Sequence, residues 1–305
     1  MAKEEIAALL ALSSAFCVAV GDVLQQRAAH RITDTSRNNL ELFVKLVGNP
    51  RWRWGALLLA SIALQAAALD QGSVLLVQAL LVLSLLFALP ISARLSNRSV
   101  TRREWIWAVV LTAAVTVIVT VGNPQAGHSR PSLQAWAAVV AVLGPLLLGC
   151  VVAARIRGGA VAAVLFAFVS GSLWGVFAVL TKQVVTQLGD GLVAAARSPQ
   201  LYAWVLVALG GFAWEQSAFR AGALTASMPT LEISQPVVAA SLGILVLGET
   251  LNTGPAGMVA LAVAALAMTA ATVALARGDA VATRQSIRAR LRRTMPVAAA
   301  GRPRR

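Results

Sequence analysis

The sequence predicts an all-α polytopic membrane protein of about nine transmembrane helices, built as two inverted-topology four-helix repeats plus a linking helix. Three observations predict it: an apolar composition, nine segments of spanning length, and polar and tryptophan positions that recur between the two halves. Of 305 residues, 58% are hydrophobic and 12% charged, with a mean hydropathy of +0.75. That balance lies far outside the range of a soluble domain.

A bilayer core of roughly 30 Å requires about 20 apolar helical residues. The segments that meet or approach this run from Ile6 to Ala28, Trp54 to Leu69, Val74 to Ala93, Glu104 to Val121, Leu133 to Ala153, Ala160 to Lys182, Tyr202 to Arg220, Ala223 to Leu247 and Pro255 to Ala276. Asp70, Gln71, Gly72 and Ser73 alone separate the second from the third, which predicts a tight helical hairpin. Lys3 followed by Glu4 and Glu5, and a first apolar run carrying Asp22, argue for a retained first helix and against a cleaved signal.

An odd number of spans puts the termini on opposite faces, and the basic residues choose between the two orientations. With the C-terminus in the cytoplasm, 22 of the 26 Lys and Arg lie inside, nine of them from Arg277 onward, while Lys3, Arg130, Lys182 and Arg197 lie outside. Positive charge resists translocation, so this asymmetry predicts an inner-membrane protein with its N-terminus outside. The basic tail reads as a topogenic segment on anionic lipid, each charge contributing about 1 kcal/mol, and no nucleic-acid partner is expected. Lys182 and Arg220, at span ends, are expected to snorkel.

Laying the first four spans on the last four gives matches at nearly constant offsets. Ser14 falls on Ser170 at 156 residues, while Trp54, Gln65, Gly72 and Ser84 fall on Trp204, Glu215, Gly222 and Ser234 at 150. Five spans separate the starts of the copies, so they enter the membrane in opposite senses, the arrangement on which alternating access is commonly built. The first repeat is assigned to residues 1–121, the linking fifth span to 122–159, the second repeat to 160–276, and a disordered or membrane-surface tail to 277–305.

The segment Ala221-Gly-Ala-Leu-Thr-Ala-Ser-Met-Pro-Thr230, entering a long helix that ends in Leu247-Gly248-Glu249, resembles the drug/metabolite transporter superfamily with its EamA-like inverted repeats. The resemblance implies a transporter with two inverted helical units. Family members usually have ten spans; nine is similar to the NIPA-like magnesium-transporter branch. The first copy has Asn97-Arg98-Ser99 where the second has Gly-Glu, so the resemblance implies no symmetric role for Glu249, and capping a loop is the alternative reading.

Charge at membrane depth is costly, so ionisable residues there face a cavity or a partner. Glu232, some ten residues into its span, is the leading candidate for substrate binding. Gln235 lies one turn on, and Pro229 and Pro236 bracket the pair, freeing backbone carbonyls that can ligand a solute. Glu215 and Gln216 in the seventh span, and Asp22, Gln25 and Gln26 in the first, complete the candidate binding set. Gln65 and Gln78 suit hydrogen bonds between helices. If the cargo is a metal cation, Glu232 and Asp22 are the candidate ligands, with hydrated Mg²⁺ the form that so few carboxylates allow.

Acidic residues with no basic partner inside the membrane favour a cationic or polar small-molecule or ion cargo. Cys17, Cys150, His30 and His128 are isolated, and neither a phosphate loop nor a catalytic constellation is present, so neither a cofactor nor enzymatic activity is expected. The expected function is a secondary transporter. A lipid or lipid-linked intermediate translocator and a non-transporting scaffold remain open, as does a homodimer.

Overall fold

The computed structural model describes residues 3–32, 53–95, 99–127, 131–221 and 224–294. Their helices, in chain order, are α1 (Lys3–Ile32), α2 (Arg53–Gln71), α3 (Val74–Leu81), α4 (Ser84–Leu95), α5 (Arg102–Gly122), α6 (Leu133–Arg157), α7 (Gly159–Gly189), α8 (Leu192–Arg197), α9 (Pro199–Arg220), α10 (Leu224–Leu245) and α11 (Pro255–Thr294). Two short strands, β1 (Pro124–Gln125) and β2 (Thr250–Leu251), pair antiparallel. The protein is thus an all-α chain at every expected span.

Six of these segments are long and apolar enough to cross a membrane: Lys3–Gly21, Val74–Arg94, Arg102–Gly122, Leu133–Arg157, Gly159–Gly189 and Pro255–Gly278. The other three expected spans are the helices α2, α9 and α10, of 19, 22 and 22 residues. These carry Gln65, Glu215, Gln216, Glu232 and Gln235. The third expected span is two helices joined at Val82 and Leu83, where the Leu83 amide donates to the Leu80 carbonyl at 3.0 Å, a tighter turn than the α-helical one.

Local chemistry fixes the helix starts. Thr101 and Glu104 form a reciprocal capping box at α5, satisfying two amides that the helix itself cannot. Ser132 caps α6 by accepting from the Ala135 amide, and Ser198 caps α9, where Pro199 occupies the first turn without wasting a donor. The last helix departs from expectation: α11 continues through the arginine-rich stretch as far as Thr294. Residues 295–305, and the amphipathic segment read at 39–47, lie outside the described residues.

Packing follows one scheme in each half. In the first, α1 packs on α2 and α4; in the second, α7 packs on α9 and α10. Between them, α5 packs on α11 and α3 on α10. A buried hydrogen bond links the first two helices of each set: Ser14 Oγ donates to the Ser61 carbonyl and Ser170 Oγ to the Gly211 carbonyl, both at 2.8 Å. Both serines are fully buried.

The α7–α10 seam depends on small residues. Ala163, Ala167, Gly171 and Gly175 recur every four residues along one stripe of α7, the spacing that lets helix backbones approach closely in lipid. A Cβ at Gly171 would overlap the Ser234 hydroxyl, and one at Gly175 would sit 2.8 Å from the Gln235 carbonyl oxygen. Pro229 and Pro236 do not interrupt α10. Within it, Ser234 Oγ donates to the Thr230 carbonyl at 2.7 Å. By contrast, α6 buries only Ala154 among its described residues and exposes Val140, Val142, Leu148 and Ile156, the surface of a helix turned toward lipid.

Overpacking this seam should be costly. Gly171→Val is expected to lower stability by about 1–3 kcal/mol. Gly144→Ala, where a Cβ meets nothing within 4 Å, should be neutral or stabilising by up to about 1 kcal/mol, as expected for a helical glycine. Thermal unfolding of both variants in detergent, followed by size-exclusion, checks the pair.

Candidate functional site

A densely bonded polar cluster lies where the loops after α2, α5 and α10 gather against α7. Its centre is Glu249, 2% exposed, in the turn between α10 and β2. Gly248, at φ +64, turns the chain out of α10 in a left-handed conformation that glycine adopts without strain. The Glu249 amide then returns to the Gly243 carbonyl at 3.0 Å. A Cβ at Gly243 would lie 2.9 Å from Glu249 Oε2, so the absent side chain is what admits the carboxylate.

That carboxylate accepts from the Val74 amide at 2.7 Å through Oε1 and from the Leu75 amide at 3.0 Å through Oε2. These are the first donors of α3, where the helix dipole and free N–H groups favour negative charge. Ser73 supplies the next link by accepting from the Leu76 amide at 3.1 Å. Lys182, in α7, donates to Glu249 Oε1 at 3.1 Å and to the Gly72 carbonyl at 2.9 Å. One buried ion pair therefore joins the start of α3, the last third of α7 and the α10–β2 turn.

Two expectations are corrected here. Lys182 does not snorkel: α7 runs on to Gly189, which leaves the lysine inside the helix, 5% exposed and charge-paired. Glu249 does more than cap a loop, since it caps a helix of the other half and holds an ammonium. The acidic residues accordingly do not lack a buried basic partner. Each charge reads separately as a helix-end residue, and nothing local in the sequence reveals that residues 67 positions apart meet.

The loop 123–127 closes over this cluster. Asn252 donates to the Gly122 carbonyl at 3.0 Å, beside the Pro124↔Leu251 and Gln125↔Thr250 pairs of β1 and β2. Gly127 lies on the backbone of Leu247, Gly248 and Glu249, so closely that a Cβ there would overlap the Leu247 carbonyl oxygen.

The predicted binding residues fall on three helices. Glu232 and Gln235 are half-buried on α10. Gln216 is buried on α9, and its neighbour Glu215 accepts from the Trp174 indole at 3.1 Å across the α7–α9 interface. Trp174 packs edge-on against Phe177, which stacks on Trp204 with centroids 5.0 Å apart. The aromatic ladder was missed in sequence because its members sit on two helices. Asp22, Gln25 and Gln26 belong to α1, and their side chains lie outside those described. Gln65 and Gln78 are buried; Gln78 Nε2 has no hydrogen-bond partner among the described residues. Arg220 ends α9, and Asp70, read from the sequence as a hairpin residue, lies in the last turn of α2 and is exposed. Among the described residues, no group of three or more His, Cys, Asp and Glu is placed to hold a metal.

Apolar spanning helices, close small-residue packing and a lipid-facing flank define a multi-pass helical membrane protein. The chain belongs to the same family as an uncharacterized protein of Corynebacterium glutamicum, to which it is 35% identical over 285 residues, covering 91% of this chain and 96% of the relative. No family model matches the chain, and no solved structure matches it.

Removing either buried charge strands the other. Lys182→Met and Glu249→Gln are each expected to cost about 3–5 kcal/mol. Exchanging the two, Lys182→Glu with Glu249→Lys, should not restore stability, because an ammonium at position 249 would face the amide donors of Val74 and Leu75. Melting temperatures of the three variants in one detergent check this order.

Proposed function

We propose that this protein is a secondary transporter that moves a small cationic or polar solute by alternating access between two inverted repeats. The supporting observation is the paired buried hydrogen bond: Ser14 to Ser61 in one half and Ser170 to Gly211 in the other. Its donors are 156 residues apart and its acceptors 150, the two offsets at which the sequence repeats. Ser84 and Ser234, also 150 apart, are equally buried at 6% exposure. A duplicated interior at these registers is what two copies of one helical unit would produce, and five spans between their starts invert the second copy.

The chemistry favours positive cargo. Glu215, half-buried between α7 and α9 and held by the Trp174 indole N–H, is a carboxylate at membrane depth, which suits a positively charged solute. Glu232, one turn from Gln235 on α10, is the residue assigned to cargo or proton binding. Lys182 and Glu249 take a different role in this reading: they latch the extracellular end while the opposite end is open. The magnesium-carrier version requires a hydrated ion, since Glu232 and Glu215 provide few hard oxygen ligands. The N-terminus is assigned to the outside and the C-terminus to the cytoplasm on the distribution of basic residues.

Flux into proteoliposomes, followed with radiotracer and pH dye across Mg²⁺, organic cations and amino acids, tests the proposal. One solute class is expected to move, with at least about a tenfold loss in Glu232→Gln, corresponding to 1.4 kcal/mol. An absence of flux for every solute would favour a lipid translocator or a scaffold.

A further inference from the structure

Three of the spanning segments end in arginine on neighbouring helices. Val74–Arg94 finishes at Arg94, Arg102–Gly122 begins at Arg102, and Pro255–Gly278 finishes one residue after Arg277. Their helices touch, since α11 packs on both α4 and α5. For α5 and α11 the contact falls at the level of the arginines. A Cβ at Gly278 would lie 3.6 Å from Glu104 Oε1, so Arg102, Arg103 and Arg277 all arise within two residues of that point.

Arg94, Arg102, Arg103 and Arg277 are exposed, and among the described residues none of them is in an ion pair. Glu104, the carboxylate among them, holds the cap of α5: its Oε2 accepts from the Thr101 amide at 2.7 Å and from the Thr101 hydroxyl at 2.9 Å. The end of a span is where hydrocarbon gives way to headgroups, a polar layer of roughly 5–8 Å on each side of the bilayer. Guanidinium groups at that depth meet phosphates, which they bind through charge-assisted and often bidentate hydrogen bonds. One turn deeper along α5 the surface changes character. Trp105 and Ile106 are 53% and 55% exposed, and Ile106 follows Arg102 at the spacing that puts both on one helix face.

We propose that the junction of α4, α5 and α11 binds an anionic phospholipid. Arg102, Arg103 and Arg277 take its phosphate, Arg94 adds charge on the α4 side, and an acyl chain runs along Trp105 and Ile106. Charge selects the lipid: four cations around one carboxylate that is already engaged favour an anionic headgroup over a zwitterionic one, whose ammonium they repel. The apolar strip below the arginines is what fits a lipid and gives nothing to a free phosphate. These arginines are distinct from those of the tail, which begin at Arg284, and the site does not depend on transport.

Native mass spectrometry of the full-length protein, released from detergent after titration with phosphatidylglycerol, phosphatidylcholine or inorganic phosphate, tests the assignment. Phosphatidylglycerol should bind at least about tenfold more tightly than phosphatidylcholine, and phosphate should neither bind nor compete. Arg102→Gln combined with Arg103→Gln should weaken phosphatidylglycerol binding by about tenfold or more, the loss of two charges at a membrane surface. Arg277→Gln, a single change on the other helix, should weaken it by about fivefold, which guards against misfolding of the double variant. Arg155 and Arg157, exposed at the end of α6, lie one crossing on from α5 and return to the same face. Arg155→Gln with Arg157→Gln removes equal charge there and should leave binding unchanged. Equal retention of the two lipids, or equal weakening by the Arg155 and Arg157 pair, would reduce the arginines to general surface charge and overturn the assignment. Displacement of the lipid by inorganic phosphate would overturn it as well, in favour of a free-anion site.

Discussion

The two halves of this protein are tied at one end by a single constraint: a carboxylate that must satisfy a helix terminus and an ammonium at once. Glu249 does both, with two backbone amides of α3 on its oxygens and Lys182 against Oε1. Burying such a pair is unfavourable unless nearly every polar group around it is bonded. Several local features follow from that demand: Gly243 makes room for the carboxylate, Gly248 supplies the turn, Ser73 takes the third amide and the Gly72 carbonyl receives the spare ammonium proton.

A second constraint acts along the length of the bundle. Lipid gives apolar side chains no reason to leave it for one another, so helices associate where backbones come close and polar groups find partners. Gly171 and Gly175 achieve this for α7 and α10, and the buried serines do so for α1 with α2 and for α7 with α9. α6, with almost none of its described surface buried, shows what a helix looks like when neither device is used.

The spans were legible because membrane helices announce themselves through length and apolarity, both local properties of the chain. α2, α9 and α10 are helices within a few residues of their expected bounds, although they are not among the six segments apolar enough to cross a membrane. Ends were harder. α7 overruns its expected stop by seven residues, and that overrun is why Lys182 was read as a surface anchor. The glycine spacing of α7 was present in the sequence as a recognisable packing signal. The partnership of Lys182 with Glu249 and the meeting of Trp174 with Glu215 were not, because contacts between distant positions leave no local pattern. Of the candidate residues on α10, Glu232 and Gln235 are half-buried, and the Gln235 carbonyl lies against Gly175 of α7.

The spacing of the buried pair along the chain also bears on synthesis. Lys182 precedes Glu249 by 67 residues, and the amides of Val74 precede it by 175. During translation, the ammonium and the open helix end of α3 therefore exist long before the carboxylate that satisfies them. Until α10 is complete, neither has its final partner, and the β1–β2 clasp cannot form either. Closure of that end is thus a late event in biogenesis, and a nascent chain that stops before Glu249 carries an unfinished, polar seam.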